Sequence, residues 1–405
     1  MQHIFAYSNS LIENVNLEFK RYLFREINWN TRLIEILGSR GVGKTTLMLQ
    51  KAKLLNSEKP NQAVYISLDD KLMYNNSIVD IAEELVKYGV QYIFLDEVHK
   101  YPPKIKGFDW SAEIKNVYDR LSGLNIVYSG SSVMKIHKGQ GDLSRRKSSY
   151  RLAGLSLREY LSLNGIFDTD SFLLSDILSN HQEITGSISK KVKIIPHFKE
   201  YLKTGYFPFY KEDPKNYFNR LNAILNVIIE TDIPAVAEIT FETSLKLKKL
   251  LAAIASAVPY VPNLIKLRQE LFVADQRTLL RYLDLLEKAE VLNTLSQKAK
   301  GSKILHKPDK IYLGNTNYFY ALNMHGEEMG TIRELFFQTQ VGVNHSLKIP
   351  RSGDFIVNDK FIFEIGGKNK TQHQIRDLNN AYLALDDIEN GIFNRIPLWL
   401  FGFLY

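Results

Sequence analysis

Eight consecutive residues have the types and the spacing of a phosphate-binding loop. They fit the pattern G-x-x-x-x-G-K-[ST], with a second threonine after it, and are Gly38, Ser39, Arg40, Gly41, Val42, Gly43, Lys44, Thr45 and then Thr46. Glycines allow backbone conformations in which successive N–H groups point at phosphate oxygens, and a following helix adds its dipole. We expect Lys44 to neutralise the β- and γ-phosphates and Thr45 to offer its hydroxyl to Mg²⁺.

A second acidic element completes this predicted nucleotide site. The apolar run Tyr92-Ile-Phe-Leu ends in Asp96 and Glu97. A buried carboxylate at the end of a strand needs a compensating cation, so Asp96 is predicted to hold Mg²⁺. Glu97 would accept a proton from the attacking water. The guanine-specific N-K-x-D pattern is missing, because Asn369-Lys370-Thr371-Gln372 lacks the final acid. The pattern therefore favours ATP and Mg²⁺.

Two further groups are candidates for contact with the γ-phosphate. The segment Ile126-Val-Tyr-Ser129-Gly130-Ser131-Ser132 ends the next predicted strand, and a serine at its tip could orient the water or contact the γ-phosphate. Ser131 is the first choice and Ser129 the second, although a serine-rich turn explains either one equally well. Arg145 and Arg146 could reach the nucleotide of a neighbouring subunit, or simply form a solvated basic loop.

The elements that must position these residues alternate between strands and helices. The predicted strands are Arg32–Leu37, Ala63–Leu68, Gln91–Asp96 and Asn125–Ser129, separated by predicted helices Lys44–Leu55, Ser77–Tyr88 and Ser111–Leu121. Near-continuous apolar strands in this rhythm predict an α/β fold with a three-layer P-loop core, over residues 1–154. From Leu155 to Glu238 the pattern is helical, with Ser156 as an N-cap, and predicts a helical lid over 155–243.

The next segment concentrates positive charge. The net charge of the chain is +8, and residues 244–310 hold thirteen Lys and Arg against six Asp and Glu. Three predicted helices, Leu245–Ala257, Asn263–Leu271 and Asp275–Ala289, precede a hairpin within Val291–Leu305, as in a winged helix-turn-helix over 244–308. The groove-facing residues would be Gln276, Arg277 and Arg281, with Lys298, Lys300 and Lys303 in the wing. Double-stranded DNA is the expected partner, although the leucines of the third helix could instead pack this module on the lid.

The remainder returns to mixed α/β structure. A helix (Thr331–Val341), two short strands joined at Asn358-Asp359, a helix (Gln372–Asp387) and a final strand (Pro397–Tyr405) are predicted. The chain has no cysteine, which excludes disulfides and thiolate metal sites. It shows neither a signal-peptide pattern nor an apolar run long enough to cross a membrane, so we expect a cytoplasmic location.

The combination of RGVGKTT, YIFLDEVHK, IVYSGSS and LSRRKSSYRLAGLSLREYL resembles the AAA+-type ATPases of bacteria and archaea whose C-terminal domain is similar to PD-(D/E)xK nucleases. Later segments match as well, among them YLKTGYFPF, GTIRELFF and FIFEIGGKNK. The resemblance implies an AAA-like core, a helical lid, a winged helix and a nuclease-like tail over 309–405. It also implies that Glu334, Asp354 and Glu364 could form a metal site in that tail. The expected lysine would be residue 366, which is glycine, and Lys368 comes two residues late, so both an active and an inactive tail stay open.

Two functions are consistent with these patterns. In the first, an ATPase couples its nucleotide state to a DNA-facing module, as a motor or a switch. In the second, a regulatory or signalling ATPase binds protein partners through the winged helix and an inactive tail. Assembly as a homo-oligomer is compatible with both functions.

Overall fold

The structure is a computed structural model that describes residues 1–102, 109–133, 143–237, 239–297, 307–323 and 328–405. The described strands, in chain order, are β1 (Leu33–Gly38), β2 (Ala63–Ser67), β3 (Tyr92–Asp96), β4 (Asn125–Ser131), β5 (Ser148–Arg151), β6 (Leu292–Leu295), β7 (Lys310–Leu313), β8 (Leu347–Lys348), β9 (Phe355–Val357), β10 (Phe361–Gly367), β11 (Ala381–Asp386) and β12 (Arg395–Pro397). The described α-helices are α1 (Gln2–Asn14), α2 (Leu23–Glu26), α3 (Lys44–Glu58), α4 (Ile78–Lys87), α5 (Trp110–Arg120), α6 (Leu157–Leu163), α7 (Leu174–Ser189), α8 (Ile194–Thr204), α9 (Tyr217–Val227), α10 (Ile233–Ala237), α11 (Phe241–Ala255), α12 (Leu264–Glu270), α13 (Gln276–Lys288), α14 (Thr316–Leu322) and α15 (Met329–Val341).

The chain forms two compact units. The first consists of Met1–Ala153 together with Thr231–Ile239, and the second of Gly154–Glu230 together with Thr240–Tyr405. The predicted division into four domains is finer than this and stays a prediction.

The first unit contains a five-stranded parallel sheet in the order β2-β3-β4-β1-β5. Alternate strand residues such as Ile93 and Leu95 join a core with α4 and α5, and their neighbour Phe94 is equally buried. Helix α3 contacts four of the strands. Both faces of the sheet are therefore covered, which explains the near-continuous apolar strands and confirms the α/β sheet predicted for this region.

The helical stretch that follows contains the predicted N-cap. Ser156 caps α6 through a capping box with Glu159, and its hydroxyl donates to the backbone oxygen of Tyr405 within the second unit. After α9 the chain forms one π-helical turn, Ile228–Asp232, before α10. A π-helical turn contains one more residue than an α-helical turn and changes the direction of the side chains that follow it.

The predicted three-helix module corresponds to α11, α12 and α13. These helices are followed by the antiparallel pair β6–β7, and Tyr260, between α11 and α12, forms a β-bridge with Ile311 of β7. The second arm of the hairpin thus lies at Lys310–Leu313, beyond the predicted range that ended at Leu305. Lys298, Lys300 and Lys303 lie outside the described residues.

The C-terminal sheet has the order β12-β11-β10-β9-β8 and mixes parallel with antiparallel pairs. The two strands predicted on either side of Asn358-Asp359 are present as β9 and β10. The helix predicted for Gln372–Asp387 is wrong, because Ala381–Asp386 is strand β11 between β10 and β12. The final strand is also wrong beyond Pro397, because Leu398–Phe403 forms a buried 3-10 helix.

No helix in the described ranges is both long and apolar enough to span a bilayer.

Candidate nucleotide site

The phosphate-binding loop connects β1 to α3, as its motif predicts. Gly41 and Gly43 have φ of 86° and 99°, a region that favours glycine. The Lys44 ammonium is buried and donates to the backbone oxygens of Gly38 at 2.9 Å and Ser39 at 3.1 Å. Gly38 is required for a different reason, because a Cβ there would lie 2.4 Å from the backbone oxygen of Leu152. The contacts of Lys44 with Gly38 and Ser39 thus hold its ammonium over the loop that is expected to bind phosphates.

Asp96 lies at the end of β3 and is 2% exposed. Its Oδ2 accepts hydrogen bonds from Thr45 Oγ1 at 2.5 Å and Tyr65 Oη at 2.8 Å. Its Oδ1 accepts from Ser129 Oγ and from the Glu97 backbone N–H at 3.0 Å. Four donors thus fix one buried carboxylate beside the threonine of the loop. Burial and the adjacent Asp96 carboxylate raise the pKa of Tyr65, so its phenol stays a donor.

This pair fits a nucleotide-bound magnesium ion. Mg²⁺ prefers oxygen ligands and in nucleotide sites takes one or two protein oxygens, with phosphate oxygens and waters completing the shell. Thr45 and Asp96 supply such oxygens. Within the residues that the structure describes, no cluster of three or more His, Cys, Asp or Glu could hold a metal on its own. What the described residues offer a magnesium ion is therefore two oxygens beside a phosphate loop.

Glu97 follows Asp96 in a left-handed conformation, with φ of 53°. Such a conformation is costly for a residue with a side chain and is common at functional sites. Its carboxylate lies 3.1 Å from Lys100 Nζ, and Lys100 also contacts Asp69 at 3.1 Å. Burial alone would raise the pKa of Glu97, but the ammonium groups of Lys44 and Lys100 hold it below the usual value. Glu97 is therefore an ionised carboxylate, as a proton acceptor must be.

The imidazole of His99 lies against the same carboxylate. Its side chain is 1% exposed, and Nε2 is 3.6 Å from Glu97 Oε2. Neither ring nitrogen has a hydrogen-bond partner among the described residues. Burial lowers the pKa of His99, so the ring is neutral near pH 7.

Asp232 is a site residue that the sequence analysis missed. It lies at the end of the π-helical turn and is 1% exposed. Its carboxylate accepts from Arg40 Nη2 at 3.0 Å and 3.3 Å and from Nε at 3.4 Å. Burial would lower the pKa of Arg40, but Asp232 outweighs that effect and raises it. The sequence offered only a weak signal, because Asp232 is one of two acids, with Glu230, between the apolar pair Ile228-Ile229 and Ile233.

The structure separates the two serine candidates. Ser129 is fully buried and donates to Asp96. Ser131 is also buried, but in the strand register it lies opposite Gly38.

The two candidate arginines lie in one loop. Arg146 donates to the Asp119 carboxylate from Nε at 3.1 Å and from Nη2 at 3.2 Å, and Arg145 is exposed. Thr46 is exposed at the start of α3.

The candidate DNA-contacting residues lie at the start of α13. Asp275 caps this helix by accepting from the Thr278 backbone N–H, and Gln276, Arg277 and Arg281 are exposed. The leucines at positions 279, 280, 283, 285 and 286 are buried. The helix thus buries its apolar face and leaves its basic face exposed.

In the tail, three predicted carboxylates each have partners of their own. Glu334 accepts from Tyr312 Oη at 2.6 Å, and Asp354 Oδ2 accepts from the Ile365 backbone N–H at 2.7 Å. Burial and the neighbouring Asp354 raise the pKa of Glu334. Glu364 is 1% exposed, and its Oε1 lies 2.6 Å from Lys370 Nζ. None of these three belongs to a metal-holding cluster in the described part of the chain.

The lysine that contacts Glu364 is thus Lys370, and not residue 366 or 368, where the motif would have a lysine. A Cβ on Gly366 would lie 2.6 Å from both Cβ and Cγ of Lys370, so the stem of the lysine covers the glycine. Burial would lower the pKa of Lys370, but its ion pair with Glu364 raises it. Lys368 is exposed.

Comparison with known proteins supports the reading of the first unit. Residues 30–161 match the family model described as an AAA domain, and residues 195–328 match a domain of unknown function, DUF8612. An uncharacterized protein of Methanocaldococcus jannaschii is 29% identical over 296 residues, which are 70% of this chain and 61% of that protein. The chain thus spans about three fifths of the length of this relative.

Two solved structures show weaker similarity. A Walker-type ATPase of Pyrococcus abyssi has a TM-score of 0.43 and 15% identity, over 77% of this chain and 99% of that one. The Aeropyrum pernix ORC1 protein in complex with DNA has a TM-score of 0.29 and 11% identity, over 80% and 92%. The AAA match and the parallel sheet together show that residues 30–161 are similar to P-loop ATPases of the AAA type.

Proposed function

We propose that the protein is a Mg²⁺-dependent ATPase that converts ATP and water to ADP and phosphate. One observation carries this proposal, namely that the Asp96 carboxylate lies 2.5 Å from the Thr45 hydroxyl with Glu97 directly after it. The phosphate loop, the magnesium ligands and the proton acceptor would thus come from the ends of β1 and β3, which lie on either side of β4 in the sheet of the first unit. The AAA match over residues 30–161 supports the same conclusion.

The residues divide the work by chemistry. Lys44 exchanges the backbone oxygens of Gly38 and Ser39 for the β- and γ-phosphates. Bound Mg²⁺ would neutralise charge on the same phosphates. Glu97 takes a proton from water as the water oxygen bonds to the γ-phosphorus and the bond to the ADP oxygen breaks. Ser129 and Tyr65 keep Asp96 in place throughout.

Two variants test the ATPase. Lys44→Ala should lose ATP binding, because the cation that neutralises the phosphates is removed. Glu97→Gln should bind ATP with unchanged affinity yet hydrolyse it on the order of a hundredfold or more slowly, because the base is lost. Isothermal titration and phosphate release measure the two effects. Wild-type turnover by Glu97→Gln would show that Glu97 is not the base, and failure of the wild-type chain to bind ATP would refute the proposal as a whole.

We further propose that α13 faces double-stranded DNA and that nucleotide state governs this contact in the cytoplasm. The support is the exposed basic face of α13 over a buried apolar one, and the bridge from Tyr260 to β7 that matches winged-helix topology. Reversing Arg277 and Arg281 to Glu should weaken binding and reduce its salt slope by about two counterions. The matched control reverses Lys190 and Lys191, which are exposed on another helix end of the same unit. Equal loss in both variants would indicate a net-charge effect without a specific face.

The rival function, a switch that binds protein partners, makes the opposite prediction. Wild-type chain would then fail to shift duplex DNA even at about 50 mM salt, where phosphate contacts are strongest. In both proposals, Arg145 or Arg146 of one subunit would contact the γ-phosphate bound by a neighbouring subunit of a homo-oligomer. In the Arg146 case the contact with Asp119 would first have to break.

For the tail we propose a nuclease-like site of Glu334, Asp354 and Glu364 in which Lys370 is the lysine. The ion pair of Lys370 with buried Glu364 supports this assignment, because it brings a lysine to one of the three carboxylates. A divalent ion must compete with Lys370, so Mn²⁺ should raise the melting temperature of Lys370→Ala more than that of the wild type. Both proteins would carry Lys44→Ala and no nucleotide would be added. A metal-independent melting temperature in both would remove the metal site and leave a structural tail.

A further inference from the structure

Arg40 is the one residue of the phosphate loop with a long cationic side chain besides Lys44. Its guanidinium forms an ion pair with Asp232, and its Nη2 lies 4.0 Å from Glu97 Oε2. The side chain of Asp232 is 1% exposed, whereas that of Arg40 is 27% exposed. The buried partner thus fixes the direction of a cation that remains accessible at the site of hydrolysis.

The hydrogen bonds to Asp232 use only the Nε and Nη2 atoms of the guanidinium. Nε and Nη2 donate to Asp232, while Nη1 donates to no group among the described residues. An arginine held on one edge can still donate from the other edge to a phosphate oxygen. Glu97 is expected to activate the water that attacks the γ-phosphate, so a group beside Glu97 is close to the γ-phosphate and further from the α- and β-phosphates.

We propose that Arg40 binds the γ-phosphate of ATP and that Asp232 positions it, so that the two residues make the site prefer ATP to ADP. This inference rests on the proposed ATPase function and adds a specificity role to its site. The π-helical turn Ile228–Asp232 contributes to this arrangement, because Asp232 at its end contacts Arg40 of the phosphate loop, 192 residues earlier in the chain. Helix α10 contacts the turn Val98–Lys100, which places this segment beside Glu97 as well.

The alternative is that the Arg40–Asp232 pair only stabilises the phosphate loop. A purely structural pair would change the affinities for ATP and ADP together, whereas a γ-phosphate ligand changes their ratio. The ratio of the two affinities is therefore the decisive quantity, and it is independent of any loss of folded protein.

The experiment measures dissociation constants for Mg²⁺–ADP and for a Mg²⁺ complex of a non-hydrolysable ATP analogue, with the full chain. Arg40→Ala should weaken the analogue about tenfold or more, as expected for loss of a charge-assisted hydrogen bond, and ADP less than about twofold. Asp232→Asn keeps an acceptor of the same shape and should give a smaller loss, while Asp232→Ala should approach Arg40→Ala. Combining Arg40→Ala with Asp232→Ala should add little to either alone, because both act through one contact.

Three outcomes are distinguishable. An ATP-to-ADP affinity ratio that stays at the wild-type value in Arg40→Ala overturns the inference and leaves the ATPase proposal standing. A wild-type chain that binds neither nucleotide overturns the ATPase proposal itself. Should Arg40→Ala be poorly folded by circular dichroism, Arg40→Lys provides the same test, because lysine keeps the charge but cannot bridge Asp232 and a phosphate with a planar fork.

Discussion

Replacing Ser129 with alanine removes one of the four hydrogen-bond donors that hold the Asp96 carboxylate. The serine is fully buried, so no bulk water can take over its role without a cavity. A hydrogen bond to a charged group contributes about 1.5–3 kcal/mol. Thr45, Tyr65 and the Glu97 backbone N–H remain, so we expect the lower end of this range, about 1.5 kcal/mol. Because ~1.4 kcal/mol corresponds to a factor of ten, the effect is about tenfold.

The loss should appear where Asp96 acts, in the use of magnesium. The Mg²⁺ concentration for half-maximal ATP hydrolysis should rise about tenfold in Ser129→Ala, with a smaller change in kcat at saturating Mg²⁺. Ser131→Ala is the matched control, because Ser131 lies on the same strand and is similarly buried, but opposite Gly38. Ser131→Ala should stay within about twofold of the wild type. A larger defect in Ser131→Ala than in Ser129→Ala would refute the reasoning and restore Ser131 as the water-orienting residue.

Three further changes have defined outcomes. Lys370→Met should lower the free energy of unfolding by about 2 kcal/mol near pH 7, which is less than the ~3–5 kcal/mol of a fully buried pair because Lys370 is partly exposed. Lys368→Met should not lower it, and urea titration measures both variants. Since the pKa of Lys370 is raised above 10.5, the difference should be fully present between pH 6 and 10 and should vanish as pH rises through the folded value. A difference that vanished on acidification only to pH 6 would contradict the ion pair. His99→Gln should remove part of the loss of stability below pH 6.5, because the pKa of His99 is lowered and the folded chain resists its protonation; an unchanged acid limb in melting curves would exclude His99 as a source. Gly38→Ala should reduce ATP affinity and stability together, because its Cβ would lie 2.4 Å from the Leu152 backbone oxygen, and an unaffected melting temperature would show that the strand moves freely.

The parts of the structure that were predictable from sequence are those fixed by neighbouring residues. The phosphate loop is set by its glycines and by the strand and helix on either side, and the N-cap at Ser156 needs only Glu159 three residues later. Parallel strands buried on both faces show as apolar runs. Each of these signals is contained in fewer than about twenty residues.

The errors arose where distant segments decide the local structure. Ala381–Asp386 contains helix-forming leucine and alanine, but its pairing with β10 and β12 overrides that preference. Leu398–Phe403 is apolar throughout because it is buried as a 3-10 helix, and an apolar run alone does not distinguish that from a strand. Asp232 could not be found from sequence spacing, because the loop it contacts lies 192 residues away. The ion pair of Lys370 with Glu364 was missed because the motif specifies a lysine by its position in the strand, whereas Lys370 follows the turn after β10.

The π-helical turn has a consequence for how this chain tolerates change in length. A π-helix differs from an α-helix by one inserted residue, so deleting one of residues 228–231 should let the helix continue in α geometry. Every following side chain would then be rotated by about 100°, the angle between successive residues of an α-helix. Asp232 would be turned away from Arg40, although no residue of the phosphate loop had been altered. A homologue one residue shorter at this point could therefore have an intact Gly38–Thr45 motif and still lack the acid that orients its arginine.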